Sequence, residues 1–488
     1  MSSHIRHRLF SIMGIAALAA CAGQASAQTV CGGAGPDLTV GDLTGPTSYT
    51  ATGGYAALSL GTTSCNMGSV NVQWNACNAT THPVIGGNLY RFSTVNGATR
   101  FEQVGQSWLK HAFTALTGSI CCTCNGQGGS VLGVGCSDPY TASRNGSQSG
   151  LGPRSTVNAF TGTYPAGTCS QHPSGGNNGR LEVALTDCTA TTGGPSATVR
   201  YFGESQYINH DDATFTDANH VPGQLSWNNA STREVTVSTS GNPATNATFA
   251  FFGNTERFKS AIEKWHDLDP SVMKTQVIVP GEGKFIVCSR ATDLGGGMWH
   301  YEYAVYNMNS DRSGGSFSVP MADSIGATNI GFHDVAYRAG DGATFGTNYD
   351  GTDWPGVKAN GNVSWACTPY ATSTNANAIR WGTTYNFRFD APLAPAATAG
   401  TVVLGLYKPG TPSSVNVAAI VPGTPPCGSA DFNGDGNVGT DADIADFFSC
   451  LAGNCCATCG SVDFNGDSNL GTDADIEAFF RVLGGGNC

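Results

Sequence analysis

Charge is what this chain most lacks. Asp, Glu, Lys and Arg make up 12% of its 488 residues, against roughly 25% in an average soluble domain. Bases are scarcer than acids, 23 against 35. They form no patch, which argues against nucleic acid as a partner. After Ala20 no apolar run has the length of a membrane helix. Also missing are a GxSxG elbow, an HExxH pair and a P-loop, so no short motif assigns a chemistry. One GxGxxG match runs from Gly434 to Gly439. It lies in an acidic stretch with no strand pattern ahead of it, so a dinucleotide reading fails.

Glycine (66) and cysteine (18) are plentiful instead. The basic start of Arg6 and Arg8, the apolar run Leu9 to Ala20 and the small-x-small site Ala25-Ser26-Ala27 read as an export signal over residues 1–27, with maturation at Gln28. Leu18-Ala19-Ala20-Cys21 offers a second outcome, a lipid-modified Cys21. Membrane attachment is expected only on that route. A secreted or cell-surface chain keeps disulfides. Eleven cysteines of the mature chain (Cys31, Cys65, Cys77, Cys121, Cys122, Cys124, Cys136, Cys169, Cys188, Cys288 and Cys367) precede the C-terminal segment. An odd set cannot pair completely within itself. Six more (Cys427, Cys450, Cys455, Cys456, Cys459 and Cys488) lie inside that segment. They are expected to close among themselves, with Cys427 and Cys488 placed to clasp its ends.

The acid is concentrated at the end. Residues 431–488 hold ten acids and one base, or −9 of the −12 total. Two stretches there match at an offset of 32 residues. Asp431-Phe-Asn433-Gly-Asp435-Gly-Asn437-Val-Gly-Thr-Asp441-Ala-Asp443-Ile returns as Asp463-Phe-Asn465-Gly-Asp467-Ser-Asn469-Leu-Gly-Thr-Asp473-Ala-Asp475-Ile. Side-chain oxygens at positions 1, 3 and 5 with a carbonyl from position 7 suit Ca2+, which takes six to eight oxygens. Gly436 allows the sharp turn at position 6, and Ser468 stands there in the second loop. The closing ligand is expected from Asp443 and Asp475, or alternatively from Asp441 and Asp473. Thr440 with Asp443, and Thr472 with Asp475, have capping-box spacing for a helix. Ile444, Phe447, Phe448 and Leu451, matched by Ile476, Phe479, Phe480 and Leu483, predict two helices that pack on each other with quasi-twofold symmetry.

This doubled loop and helix, with its Gly484-Gly485-Gly486-Asn487-Cys488 ending, resembles a type I dockerin of the GC type over about 60 residues. The resemblance implies a Ca2+-dependent module at 427–488 that docks onto a cohesin-like protein or a cell-surface scaffold.

Ahead of it, residues 411–426 read as a linker rich in Pro, Ser and Val. Period-2 runs at Gly283–Cys288, Trp299–Asn307, Thr384–Phe389 and Gly400–Tyr407 predict a β-sandwich of immunoglobulin or fibronectin type over 270–410. Residues 31–268 read as a further β-rich domain, with helices predicted at Val104–Leu116 and Thr255–Trp265. The fold class expected is mainly β, with a small C-terminal α module of two EF-hand-like repeats. The segment 107–154 resembles uncharacterised secreted proteins, which implies no activity. Its His111, Cys121, Cys122, Cys124 and Cys136 suit either zinc or copper, or a knot of disulfides, the preferred reading for an exported chain. Glu204, Asp211, Asp212, Glu263, Asp267 and Asp269 are the acids available for hydrolysis by paired carboxyls. Trp227, Trp299, Trp354, Trp365 and Trp381 suit either a core or a sugar platform. The functional expectation is a secreted interaction or structural protein tethered by its C-terminus, with polysaccharide as a possible ligand. The alternative is an extracellular polysaccharide hydrolase of glycosidase type bearing a dockerin.

Overall fold

The computed structural model describes residues 31–75, 79–111, 114–239, 246–323, 325–423, 427–466 and 469–486. The export signal, Cys21, Gln28, Cys77, Phe113, Asp467, Ser468 and Cys488 lie outside them. The protein is mainly β, built from antiparallel sheets, with a small helical C-terminal region. No described helix is long and apolar enough to cross a membrane.

The first sheet runs in the order Leu38–Thr52, Tyr55–Asn66, Leu181–Ala184, Ala98–Gln106, Val84–Val95, Arg200–Ile208, Ala230–Ser238, Thr248–Glu256. It curls until its end strands meet. Thr255 Oγ1 donates to Asp42 Oδ1 at 2.6 Å, and the Phe249 N–H donates to Ser48 Oγ at 3.0 Å. Leu58, Leu89, Val104, Val183, Tyr201 and Val235 fill the inside.

Two five-stranded sheets follow. One runs Met273–Ile278, Lys284–Gly295, Met298–Asn307, Thr383–Ala391, Thr328–His333; the other Gly356–Ala359, Asn362–Ala366, Gly314–Pro320, Gly400–Leu406, Ser414–Ala419. Val287, Tyr303 and Phe387 of the first face Phe317, Trp365 and Leu404 of the second, the aligned packing of a sandwich. Phe317 stacks on Phe387 with centroids 4.8 Å apart. The strand at Lys284 is apolar at consecutive positions because both its faces are covered. Phe285 and Val287 enter the sandwich, while Ile286 and Cys288 join a second core with Tyr90, Phe101, Phe202 and Trp265 from the N-terminal region.

Three readings of the sequence are corrected. The stretch predicted as a helix from Val104 is strand, Ala98–Gln106 and then Leu109–His111. Leu109 pairs with Gly152 and Lys110 with Ile85, the ladder of a strand rather than a helix. In the second, Glu256 still pairs with Thr232, and Phe258 has φ 60°, which a right-handed helix forbids. Only Glu263–Leu268 is helical. The linker reading fails over Ser414–Ala419, a sandwich strand whose Val415, Val417 and Ala419 are buried.

Disulfides join Cys31–Cys122, Cys65–Cys121, Cys124–Cys136, Cys450–Cys455 and Cys456–Cys459. Cys169 and Cys427 are disulfide-bonded as well. Cys188, Cys288 and Cys367 are free thiols. The four cysteines weighed as metal ligands beside His111 are therefore all oxidised. His111 turns instead to His82, Nδ1 to Nε2 at 2.7 Å. Burial, then the charges of His82 and Lys110, pushes the His111 pKa down to about 3. A folded state that refuses this proton is fully stable only above the ordinary histidine pKa. Stability is then lost as pH falls from about 6.5 towards 3, by about 1.4 kcal/mol per unit. Urea melts at pH 6.5 and 5 should differ by about 2 kcal/mol more in the wild type than in His111→Asn.

Candidate functional site

The C-terminal repeats fold as two copies of one unit related by a local twofold. The Gly428 N–H donates to the Phe464 carbonyl at 2.8 Å, and the Gly460 N–H to the Phe432 carbonyl at 2.7 Å. Both residues of each pair are 32 positions apart from their counterparts. The helices Asp441–Leu451 and Asp473–Leu483 bring Phe447 onto Phe479, stacked at 4.1 Å and 16°. Phe432 and Phe464 complete the core. Neither repeat has a second layer of its own to cover its apolar face, so each buries it on the other.

In the first loop, Asp431 Oδ2 accepts the Gly436 N–H at 3.1 Å. Asn433 Oδ1 accepts from Asp435 N at 3.0 Å, and Asp435 Oδ1 from Asn437 N at 2.7 Å. These bonds hold the loop round its own acids. Asp431 Oδ1 is buried with no hydrogen-bond donor. A buried carboxylate oxygen left so is costly unless a cation meets it. The donor set of two carboxylates, one amide oxygen and main-chain carbonyls fits a hard ion. Among the described residues no three His, Cys, Asp or Glu side chains converge, so any cation held here would draw also on the neutral oxygens of Asn433 and the main chain.

Asp443, the preferred closing ligand, stands at the third position of the first helix and completes its capping box. It is fully buried. Its Oδ1 accepts from the N–H groups of Phe432 (2.8 Å) and Asn433 (3.3 Å), and its Oδ2 from Thr440 N (2.8 Å) and Oγ1 (2.9 Å). Burial works against its charge, yet the bonds from Thr440, Asn433 and Phe432 outweigh this and hold its carboxyl below the usual range. Asp475 repeats the arrangement with Thr472 N at 2.7 Å, Thr472 Oγ1 at 2.8 Å and Asn465 N at 3.2 Å. Both acids clasp loop to helix. Asp441 and Asp473 are exposed at the first helical position. Of the second loop's remaining residues, Asp463, Asn465 and Asn469 are described and Asp467 is not.

The six acids considered for hydrolysis each have a local partner. Glu204 is buried among tyrosines. Asp211 Oδ2 accepts from Gln73 N, and Asp212 binds Ser226 and Asn229. Glu263 pairs with Lys274, Asp267 with Lys259, and Asp269 with Arg290. Trp354, Trp365 and Trp381 are core residues, while Trp299 is half-buried at the sandwich edge and Trp227 lies beneath Lys284.

A second site has no counterpart in the sequence reading. Antiparallel register sets His300 opposite Asp390 and Glu302 opposite Arg388. His300 Nδ1 lies 2.5 Å from Asp390 Oδ1, and its Nε2 lies 3.0 Å from Glu302 Oε2. Both neighbours are acceptors, so the ring carries both protons. Burial opposes that charge, and the Glu302 and Asp390 carboxylates more than offset it, raising the pKa. His300, Arg388 and Asp390 border a recess of about 320 Å³ between the first sheet and the sandwich.

No protein-family model matches the chain, and no curated protein matches it. Among solved structures, the partial N-terminal region of an enterococcal surface protein aligns over 80% of this chain and 96% of its own, at 10% identity and a TM-score of 0.16. The N-terminal domain of the Streptococcus gordonii adhesin Sgo0707 aligns over 81% and 97%, at 9% identity and 0.15. Scores this low lend no support to any functional reading.

Proposed function

We propose that this chain is an exported interaction protein whose C-terminal repeat pair binds calcium and docks, in the manner of a dockerin, onto a cohesin-like or cell-surface partner. The observation that carries the reading is the buried, unpartnered Asp431 Oδ1 inside a loop already folded round Asn433 and Asp435. Calcium would be held by Asp431, Asn433, Asp435 and the Asn437 carbonyl, and by their equivalents in the second loop. It would neutralise part of a segment that is otherwise −9.

Exposed apolar side chains on the module support a docking role. Val438 and Leu470 are 69% and 71% exposed, and Phe448 and Phe480 lie together at 6.1 Å with their rims in solvent. Four apolar side chains repeated by symmetry on a module this small suit a protein partner.

Calorimetry on the mature chain should find two calcium ions, and Asp431→Ala should remove one of them. A chain that binds no calcium, or an Asp431→Ala variant that still binds two, would sink the reading.

A further inference from the structure

The recess bordered by His300 contains a cation with no counter-ion. Arg388 lies across from Glu302, but Glu302 Oε2 is taken by Arg100 at 2.8 Å and by His300. Among the described residues no carboxylate is within ion-pair distance of Arg388. Its Nη1 has only the Phe332 carbonyl, at 3.4 Å. The fold makes room for this guanidinium, since a Cβ on Gly331 would stand 2.6 Å from Arg388 Nε. A half-buried unpaired guanidinium in a cavity calls for an anion, and its planar fork matches a carboxylate.

The rest of the wall calls for hydroxyl groups. Asp390 and Asn329 line it beside Arg388, while Glu302 lies behind them, buried and outside the lining. Asn329 donates to Asp390 Oδ2 at 2.6 Å and is held at φ 50°, a conformation few residues other than glycine adopt. Two hairpin tips flank the mouth and present Val95 and Leu294, each 41% exposed. Such apolar groups suit the C–H face of a sugar ring.

We propose that this recess binds an acidic saccharide unit, a hexuronate, with its carboxylate on Arg388, its hydroxyls on Asp390 and Asn329, and its ring against Val95 and Leu294. The site is separate from the calcium module, so either assignment can fail without the other.

The test is calorimetry on the mature chain with glucuronate, glucose and acetate. Glucuronate should bind at least about tenfold more tightly than either of the others, and Arg388→Ala should weaken it by about tenfold or more at an unchanged melting temperature. If Arg388→Ala melts early, Arg388→Lys must still weaken glucuronate by about threefold, because a point charge cannot replace the fork. The proposal is overturned if glucuronate does not bind or if a natively folded Arg388 variant binds it undiminished. It is overturned equally if acetate matches glucuronate, as a site for any peptide or other carboxylate would require.

Discussion

Asp443→Ala is expected to unfold the first C-terminal repeat even where no calcium is present. Four donors converge on this carboxylate, from Phe432, Asn433 and both groups of Thr440. Deleting it strands the two loop N–H groups inside the module and removes half of the helix cap. Losing one side of a buried charged network costs about 3–5 kcal/mol. A module whose core is four phenylalanines and their neighbours has little more than that in reserve. Asp441→Ala removes an exposed acid two residues away and should cost no more than about 0.5 kcal/mol. The comparison is made by circular dichroism of the full chain in a chelator. If both variants kept their helices and Asp443→Ala lost only calcium affinity, Asp443 would be a ligand after all. Asp475→Ala should behave as Asp443→Ala does, because Thr472 and Asn465 repeat the contacts.

The same residue shows what was legible in the sequence. The repeat, its helices and their twofold packing follow from an offset of 32 and a phased set of phenylalanines. The role of Asp443 does not. A helix N3 cap and a closing calcium ligand both want a carboxylate just ahead of an apolar residue, and spacing cannot separate them. Strands covered on both faces misled in another way. Trp108 beside Leu109, and Phe113 four residues beyond, imitate helical phasing where the first sheet in fact has neighbours on either side. Ser414–Ala419 alternates as a strand should, but its Pro- and Ser-rich flanks disguised it. The recess depends on register. His300 and Asp390 are ninety positions apart, and only the pairing of Met298–Asn307 with Thr383–Ala391 makes them neighbours. An unpaired Arg388 is a property of who took Glu302 first, which no local pattern records.

Glu204→Ala should lower the stability of the N-terminal region and the sandwich together. Glu204 is wholly buried on Arg200–Ile208. Its Oε1 accepts from Asn88 Nδ2 at 2.8 Å, Tyr90 Oη at 3.2 Å and Tyr306 Oη at 3.3 Å, and its Oε2 accepts from Ala261 N at 2.7 Å. Asn88 and Tyr90 belong to the first sheet, Tyr306 to the sandwich, and Ala261 to the segment between them. Burial raises the carboxyl pKa, against the bonds from Ala261, Asn88 and Tyr90. Removing the acid leaves four buried donors and a cavity at the seam, a loss of about 3–5 kcal/mol. Glu204→Gln keeps the shape but points an amide N–H at one of those donors, so it should fall between the two. The seam is continuous with a shared core in which Ile286, Cys288, Ala304, Tyr306 and Met308 of the sandwich pack on Phe101, Phe202 and Trp265. Scanning calorimetry should therefore show one transition for these two regions in the wild type, moved down as a unit by Glu204→Ala. Residues 270–423 expressed alone would expose that apolar face and should not fold stably. A soluble 270–423 fragment melting at the wild-type temperature would mean that the two sheet systems are independent domains, and that Glu204 stabilises only its own.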